Sequence, residues 1–300
     1  MHLCAFLSIG EFMKGSLYIV ATPIGNLKDI SENANYYLNN VDLIAAEDTR
    51  NSKVLLNYID SNVKMVAYHK FNEEVQSNKI IEKLLEGKNV ALITDAGTPC
   101  ISDPGSILVK KAIDNQINVV SIPGPSAMIC ALTLSGFDIT SFSFYGFLPR
   151  ETGKLEQKLN EIRNDNTKVV VLYESPKRIE NLLKSVINIL NDPDVCLCNE
   201  LTKKFEKKYY GKASEVLKTI SSSNVSSLGE YVLVINKNSD IEEIKEGNSL
   251  ESKIIDVMIK NNITMKESIE YLKNENKSLS KKELYNASLN LKDIMYKSEK

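Results

Sequence analysis

Short, continuously apolar segments separated by amphipathic segments run through the first 236 residues of the chain. The segments 16–21 (SLYIVA), 89–94 (NVALIT) and 168–173 (KVVVLY) show no alternation of apolar and polar residues. Strands of this kind are typical of parallel sheets that helices cover on both faces. Between two of them, apolar residues recur at helical spacing within 72–87, which predicts a helix that ends at Gly87. The pattern therefore predicts an α/β protein.

Further apolar runs place two such units one after the other. The additional predicted strands lie at residues 42–46, 117–122, 195–198 and 231–235. We therefore expect two α/β/α domains, an amino-terminal domain of residues 14–125 and a carboxyl-terminal domain of residues 126–238.

Composition changes outside these two domains. Residues 239–248 are rich in Lys, Asn, Glu and Ser and are predicted to be a linker to a helical extension of residues 249–300. Two capping boxes, at 264–267 (TMKE) and 280–283 (SKKE), each predict the start of a helix. This extension is either a solvated cap or an RNA-binding unit. Residues 1–13 lack a basic leader and are expected to be disordered or untranslated, with Met13 as an alternative start.

Charge and cysteine content exclude several classes of protein. The formal net charge of the 300 residues is -2, so any contact with nucleic acid needs a local basic patch. No apolar run approaches the roughly 20 residues that span a bilayer, and we expect a cytoplasmic protein without a membrane partner. The five cysteines are scattered without zinc-ligand spacing, which favours buried thiols over a metal site.

Polar loops follow five of the predicted strands, at the edge of a sheet where α/β proteins bind ligands. The loop 95–105 (DAGTPCISDPG) combines two carboxylates, two hydroxyls, two prolines and a glycine, which suits a polar small molecule carrying positive charge. The loop 123–127 (PGPSA) leaves room for a flat ring against the backbone, or is simply a rigid turn. No G-x-G-x-x-G or P-loop motif occurs, so dinucleotide and nucleoside triphosphate sites lose their main support.

Nine collinear motifs closely resemble the bacterial ribosomal RNA small subunit methyltransferase I family, of the tetrapyrrole-methylase-like superfamily. They lie at 22–27 (TPIGNL), 46–50 (AEDTR), 94–99 (TDAGTP), 101–105 (ISDPG), 123–127 (PGPSA), 146–150 (GFLPR), 173–176 (YESP), 200–203 (ELTK) and 229–233 (GEYVL). The match covers residues 14–236. It departs from the family pattern at Cys100, where glycine is expected, and at Asn51 and Lys177, where histidine is expected.

The resemblance implies that S-adenosyl-L-methionine donates a methyl group to a cytidine 2'-hydroxyl of 16S ribosomal RNA in the small ribosomal subunit. It implies a donor site in a cleft between the two domains, a homodimer, and no requirement for a metal. The donor-binding residues that it implies are Asp95, Gly97, Thr98, Ser102, Asp103, Ser126, Ala127, Tyr173 and Leu201.

The loop at 47–50 offers groups for the acceptor hydroxyl, which is a weak nucleophile at neutral pH. We expect Glu47 or Asp48 to accept its proton and Arg50 to hold a phosphate or the developing alkoxide. The alternative is a structural ion pair at the end of a strand.

The stretch 203–210 (KKFEKKYY) alternates cations with aromatic rings. Its four lysines are candidates for neutralising RNA phosphates while the rings stack on bases: Lys203, Lys204, Lys207 and Lys208. The alternative is a solvated basic edge with inward-packed rings.

Two other functions compete with the RNA methyltransferase. A small-molecule methyltransferase of the same fold shares the donor site but has no use for a basic stretch or a helical extension. A non-catalytic RNA-binding or assembly factor would not need the donor motifs, which are intact here.

Overall fold

The computed structural model of the chain describes residues 13–222, 229–237, 249–275 and 280–297. The fold divides into two units, residues 1–238 and residues 239–300, and each has its own hydrophobic core. Of the amino-terminal segment 1–13, residues 1–12 lie outside the described residues. The predicted linker at 239–248 lies outside them too.

A five-stranded sheet forms the amino-terminal half of the first unit. Its strands are β1 (Ser16–Val20), β2 (Leu43–Ala46), β3 (Met65–Ala67), β4 (Val90–Ile93) and β5 (Asn118–Ile122). They lie in the order β3-β2-β4-β1-β5, and every pairing is parallel. All residues of β2 and β4 are buried, which explains why these strands are apolar without alternation. The predicted parallel sheet is confirmed.

Helices cover both faces of this sheet. They are α1 (Glu32–Asn40), α2 (Thr49–Tyr58), α3 (Glu73–Leu85) and α4 (Ser106–Asp114), and a short 3-10 helix spans Leu27–Asp29. Leu38 of α1 and Leu56 of α2 pack against one face, whereas Leu84 of α3 and Leu108 of α4 pack against the other. The helix predicted at 72–87 is α3, with Asn72 at its N-cap.

The carboxyl-terminal half of the unit begins with α5 (Ala127–Ser135) and holds a second five-stranded sheet. Its strands are β6 (Phe142–Phe147), β7 (Val169–Glu174), β8 (Asp194–Asn199), β9 (Lys207–Lys212) and β10 (Tyr231–Asn236). The order is β6-β7-β10-β8-β9, with β6 and β7 parallel and the other neighbours antiparallel. The sheet is thus mixed, although its inner strands are as apolar as those of the parallel sheet.

The second sheet also lies between two layers of helices. On one face pack α6 (Thr152–Asn164), α7 (Ile179–Ile189) and α8 (Ala213–Ser222). On the other, α5 packs against β8 and β10, and there Cys196 and Cys198 are fully buried free thiols. Their place in the core agrees with the prediction of buried thiols.

A buried lysine ties the last strand of this sheet to a helix end. The Lys237 side chain is almost fully buried, and its Nζ donates to the backbone carbonyl of Ile162 at 2.7 Å and to that of Asp165. These carbonyls lie at the end of α6, where the regular helical bonds stop and Ile162 retains only a long bond of 3.3 Å from Asp165 N. Burial lowers the pKa of Lys237.

The second unit is a three-helix assembly of α9 (Leu250–Asn261), α10 (Met265–Glu275) and α11 (Lys281–Lys297). Both predicted capping boxes form, because Glu267 accepts from Thr264 N at 2.8 Å and Glu283 accepts from Ser280 N at 3.1 Å. The helices share a small core of Ile254, Leu272, Leu284, Ala287 and Leu291. Among the described residues, no helix has the length and apolar content to cross a membrane.

Candidate active site

A cavity of about 350 Å³ lies in the first unit, where loops from both sheets meet. Loops that follow β2, β4 and β5 line it from one side, and residues of β7 and of the loops after β8 and before β10 line it from the other. All nine residues expected to bind the donor line this cavity: Asp95, Gly97, Thr98, Ser102, Asp103, Ser126, Ala127, Tyr173 and Leu201.

Three loops of the amino-terminal half are bound to one another at the cavity. Thr22 and Gly97 exchange backbone hydrogen bonds of 2.8 and 3.0 Å, which joins the loop after β1 to the loop after β4. Thr98 Oγ1 donates to the carbonyl of Pro125 at 3.2 Å and adds the loop after β5. The floor of the cavity is therefore fixed by backbone bonds.

The carboxylate of Asp95 is oriented by two donors from the start of α2. The backbone N–H of Asp48 donates to its Oδ1 at 3.1 Å, and the side-chain amide of Asn51 donates to its Oδ2 at 2.8 Å. Asn51 stands where the family pattern has histidine, and its amide supplies a hydrogen bond that is independent of pH. Asn51 was noted in the sequence only as a departure from the family pattern and was not among the predicted site residues.

Five carboxylates line the same cavity, and one of them, Glu200, is paired with Lys203: Glu47, Asp95, Asp103, Glu200 and Glu230. Burial, followed by the negative charges of Glu47, Glu230 and Asp95, raises the pKa of Asp103 to about 6. Burial also raises the pKa of Glu230. A ligand that brings positive charge into this cavity relieves that repulsion.

Glu47 and Asp48 are adjacent in sequence, but their side chains have different partners. Glu47 lines the cavity, and Thr94 Oγ1 donates to its Oε2 at 2.6 Å. Asp48 caps α2 by accepting from Arg50 N at 2.9 Å, and it pairs with the Arg50 guanidinium at 2.7 Å. Those bonds to Arg50 lower the pKa of Asp48 to about 2. Asp48 and Arg50 lie beside the cavity and do not line it.

Aromatic rings form one wall of the cavity. The Tyr173 ring contacts Phe144 and Phe147 edge to face, with centroids 5.0 and 5.6 Å apart. Its hydroxyl accepts from the backbone N–H of Met128 at 3.1 Å, at the start of α5. Burial raises the pKa of Tyr173 to about 12, so this hydroxyl stays neutral. Phe147 stays half exposed within the cavity wall.

An ion pair holds the loop that follows Phe147, the last residue of β6. Arg178 donates to the carbonyls of Leu148 and Pro149 at 3.1 and 3.2 Å. Its guanidinium also lies 3.0 Å from the carboxylate of Glu174, which is almost fully buried. The motifs at 146–150 and 173–176 are therefore parts of one structural unit.

Residues with positive φ surround the cavity. Cys100, Glu200 and Thr202 adopt φ of 72°, 55° and 65°, in a region that side chains with a Cβ rarely occupy. Gly97 and Gly229 have φ of 86° and 84°. The glycine expected at position 100 is explained by this conformation, which Cys100 adopts at a cost in strain.

The predicted basic stretch is largely occupied by contacts within the protein. Lys203 lines the cavity, pairs with Glu200 at 2.7 Å, and packs its side chain against Gly25. Lys208 pairs with Glu206 at 2.8 Å.

The rest of the stretch lies on an exposed edge of the second sheet. Lys204 lies 5.6 Å from the Phe205 ring, and Lys207 is exposed on the edge strand β9. Lysines on an edge strand also prevent pairing with other sheets, so their presence has a structural reason.

Several lining residues were not predicted from the sequence, namely Ile24, Thr94, Ala96, Ile101, Phe147, Glu200, Gly229, Glu230 and Val232. All of them fall within the nine motifs, and membership of a motif was the one available signal. Within the described part of the chain, no group of three or more His, Cys, Asp or Glu side chains is arranged to hold a metal ion.

Known proteins share this sequence and this fold. A family model of the tetrapyrrole (corrin/porphyrin) methylases matches residues 16–217. A relative from Halalkalibacterium halodurans, named ribosomal RNA small subunit methyltransferase I, is 42% identical over 233 residues, which are 78% of this chain and 80% of the relative. The protein of the same name from Bacillus subtilis is 40% identical over 237 residues, with coverage of 79% and 80%.

A solved structure adds support for the fold alone. The uroporphyrin-III C-methyl transferase from Thermus thermophilus, complexed with S-adenyl homocysteine, superposes with a TM-score of 0.54 at 15% sequence identity. The superposition covers 73% of this chain and 97% of that one. The predicted fold class, two α/β domains of tetrapyrrole-methylase type followed by a helical extension, is confirmed.

Proposed function

Because the chain belongs to the tetrapyrrole methylase family, and within it to the ribosomal RNA small subunit methyltransferase I family, we propose that it methylates a cytidine 2'-hydroxyl of 16S ribosomal RNA. The methyl donor is S-adenosyl-L-methionine, and the substrate is the small ribosomal subunit in the cytoplasm. One observation carries the proposal: the nine residues expected to bind the donor line one acidic cavity.

The cavity suits the proposed donor in charge and shape. Its five carboxylates, which Lys203 offsets only in part, complement a ligand with a positively charged sulfur and an ammonium group. The small side chains of Ser126 and Ala127 leave room for a flat ring beside Tyr173. When bound, the donor supplies a methyl group on a sulfonium, which is already an effective leaving group.

Glu47 is our proposed proton acceptor for the 2'-hydroxyl. Its carboxylate lines the cavity, is held by the Thr94 hydroxyl, and forms no ion pair with any described residue. Asp48 is the weaker candidate, because its bonds to Arg50 lower its pKa to about 2. The role that we propose for Asp48 is to hold Arg50, whose largely exposed guanidinium binds an RNA phosphate.

Two features of the protein prepare the site for the reaction. Hydrogen bonds from the start of α2 fix Asp95, and backbone bonds fix the loop of Gly97, so the donor meets a preformed site. The rings of Phe147 and Tyr173 shield one side of the cavity from water.

The test is methyl transfer from labelled S-adenosyl-L-methionine to small ribosomal subunits that lack the modification, followed by nucleoside analysis. We expect label in 2'-O-methylated cytidine of 16S ribosomal RNA. Donor binding without any label in RNA would overturn the proposal and favour a small-molecule acceptor.

We also infer a homodimer. Its support is α5, an almost wholly apolar helix on which Ile129 and Leu134 stay exposed. Light scattering at micromolar concentration should give twice the mass of 33.6 kDa. A monomer at that concentration contradicts the inference.

A further inference from the structure

A tight loop after β3 presents one aromatic ring to solvent. Asn72 closes this loop: its Oδ1 accepts from His69 N at 2.8 Å, and its Nδ2 donates to the carbonyl of Ala67 at 3.0 Å. The backbone N–H of Asn72 also donates to the carbonyl of His69 at 2.9 Å. Three hydrogen bonds thus fix a turn with Phe71 at its tip.

Phe71 is 94% exposed, more than any other large apolar residue among those described. Single exposed apolar residues are common, and exposure alone shows nothing. Phe71 differs because its loop is fixed and because the His69 ring supports its ring edge to face, with centroids 6.2 Å apart. An aromatic face held in solvent is what stacking on an unpaired base requires.

The loop lies next to the cavity. β3 pairs with β2 in parallel, and Tyr68 N donates to the carbonyl of Ala46 at 2.8 Å, directly before Glu47. Neighbouring strands lie about 4.8 Å apart, so the ends of β4, β2 and β3 together span about 10 Å. A strand of RNA with its acceptor nucleotide at Glu47 therefore reaches Phe71 with an adjacent nucleotide.

Two cations flank this path. The Arg50 side chain is 89% exposed, and Asp48 engages only two of its N–H donors, at Nε and at one terminal nitrogen. The remaining donors are available to a phosphate. Lys70 is exposed beside Phe71 and forms no ion pair with any described residue. By contrast, Lys203 and Lys208 of the basic stretch are paired.

We propose that Arg50, Lys70 and Phe71 form an RNA platform that holds the nucleotide next to the acceptor. The Phe71 ring stacks on its base, and Arg50 and Lys70 contact the flanking phosphates. The inference rests on the proposed function, since it takes RNA as the substrate.

The experiment compares Phe71→Ala with the wild-type enzyme on unmodified small subunits. We expect KM for the subunit to rise about 5- to 100-fold, because base stacking on one ring contributes that much to binding. Affinity for the donor should not change, since Phe71 does not line the cavity. Phe71→Trp should keep KM near the wild-type value, because it keeps a stacking face.

Ile113→Ala is the matched control. Ile113 is also an exposed apolar residue of the same domain, but it lies at the end of α4, near the opposite edge of the sheet. The KM of Ile113→Ala for the small subunit should stay within twofold of the wild-type value. An equally small effect of Phe71→Ala would overturn the platform.

A direct binding assay separates failure of the platform from failure of the proposed function. Wild-type protein that binds subunits without methylating them contradicts the proposed function, and weaker binding by Phe71→Ala then still supports the platform. Wild-type protein that binds no RNA overturns both. A larger loss in Phe205→Ala than in Phe71→Ala would assign the contact to the basic stretch instead.

Discussion

The ionised carboxylate of Asp103 should lower the stability of the fold and strengthen donor binding. Its pKa is raised from 3.8 to about 6 in the folded protein, mainly by burial. The folded state therefore binds the proton more tightly than the unfolded state, and stability falls as pH rises from about 4 to 6. Above pH 6 the full cost is present, on the order of 1–2 kcal/mol after allowance for solvent screening. Asp103→Asn should raise stability by that amount at pH 8.

The same substitution should weaken donor binding. If the positively charged donor binds the ionised carboxylate, its apparent Kd scales inversely with the ionised fraction. With a pKa of about 6, that fraction is near 1 at pH 8 and about 1/11 at pH 5. We therefore expect the wild-type Kd to rise about tenfold between pH 8 and pH 5. In Asp103→Asn the Kd should be higher at pH 8 and nearly constant across this range.

Isothermal titration at pH 5, 6, 7 and 8 measures the donor Kd and the number of protons released on binding. Proton release appears as a dependence of the binding heat on the buffer. Glu230→Gln is the control, because burial raises the pKa of this second cavity carboxyl as well. A wild-type Kd that is flat between pH 5 and pH 8 refutes the reasoning. So does an Asp103→Asn variant that is less stable than the wild type at pH 8.

Three further substitutions test other parts of the structure. Glu47→Gln should lower kcat about 100- to 10,000-fold and leave the donor Kd nearly unchanged. Asp48→Asn should lower kcat less. Equal losses of kcat in single-turnover assays would contradict the assignment of Glu47. Lys237→Met removes the amine from two helix-end carbonyls, of which only that of Ile162 keeps a backbone donor, Asp165 N at 3.3 Å. It should lower the free energy of unfolding by about 1–3 kcal/mol, as urea titration would show; no loss would mean that water replaces the amine. At position 100, Cys100→Gly should be about 1 kcal/mol more stable than Cys100→Ala, because φ is 72°; the reverse order in thermal unfolding would rule out strain there.

The sequence predicts strands and helices well where one physical cause dominates. β2 and β4 are buried on both faces, so continuous apolar runs predict them. The capping boxes predict α10 and α11, because their hydrogen bonds are local.

Three strands were not predicted, for reasons that differ. β3 has only three residues, and β9 carries lysines on the exposed edge of its sheet. β6 is only partly buried, so its apolar residues follow no clear period. The antiparallel pairing of β10 with β7 and β8 could not be predicted either. A strand buried on both faces has the same apolar pattern in a parallel and in an antiparallel sheet.

The sequence predicts which loops form the site but not how their side chains are arranged. Its motifs identified the loops that carry Asp95, Asp103 and Tyr173, which meet at one cavity. The bond from Asn51 to Asp95 could not be predicted, because it depends on how α2 lies against the loop after β4. Adjacent residues also differ in role, and only three-dimensional contacts separate Glu47 from Asp48.

The left-handed backbone around the cavity has a consequence for crystallography. Cys100, Glu200 and Thr202 hold conformations that a free peptide seldom visits, so the rest of the fold must impose them before any ligand arrives. A cavity shaped during folding needs little rearrangement when it is filled. Crystals grown without the donor should therefore take it up by soaking and keep their lattice, with the main chain of these loops unmoved.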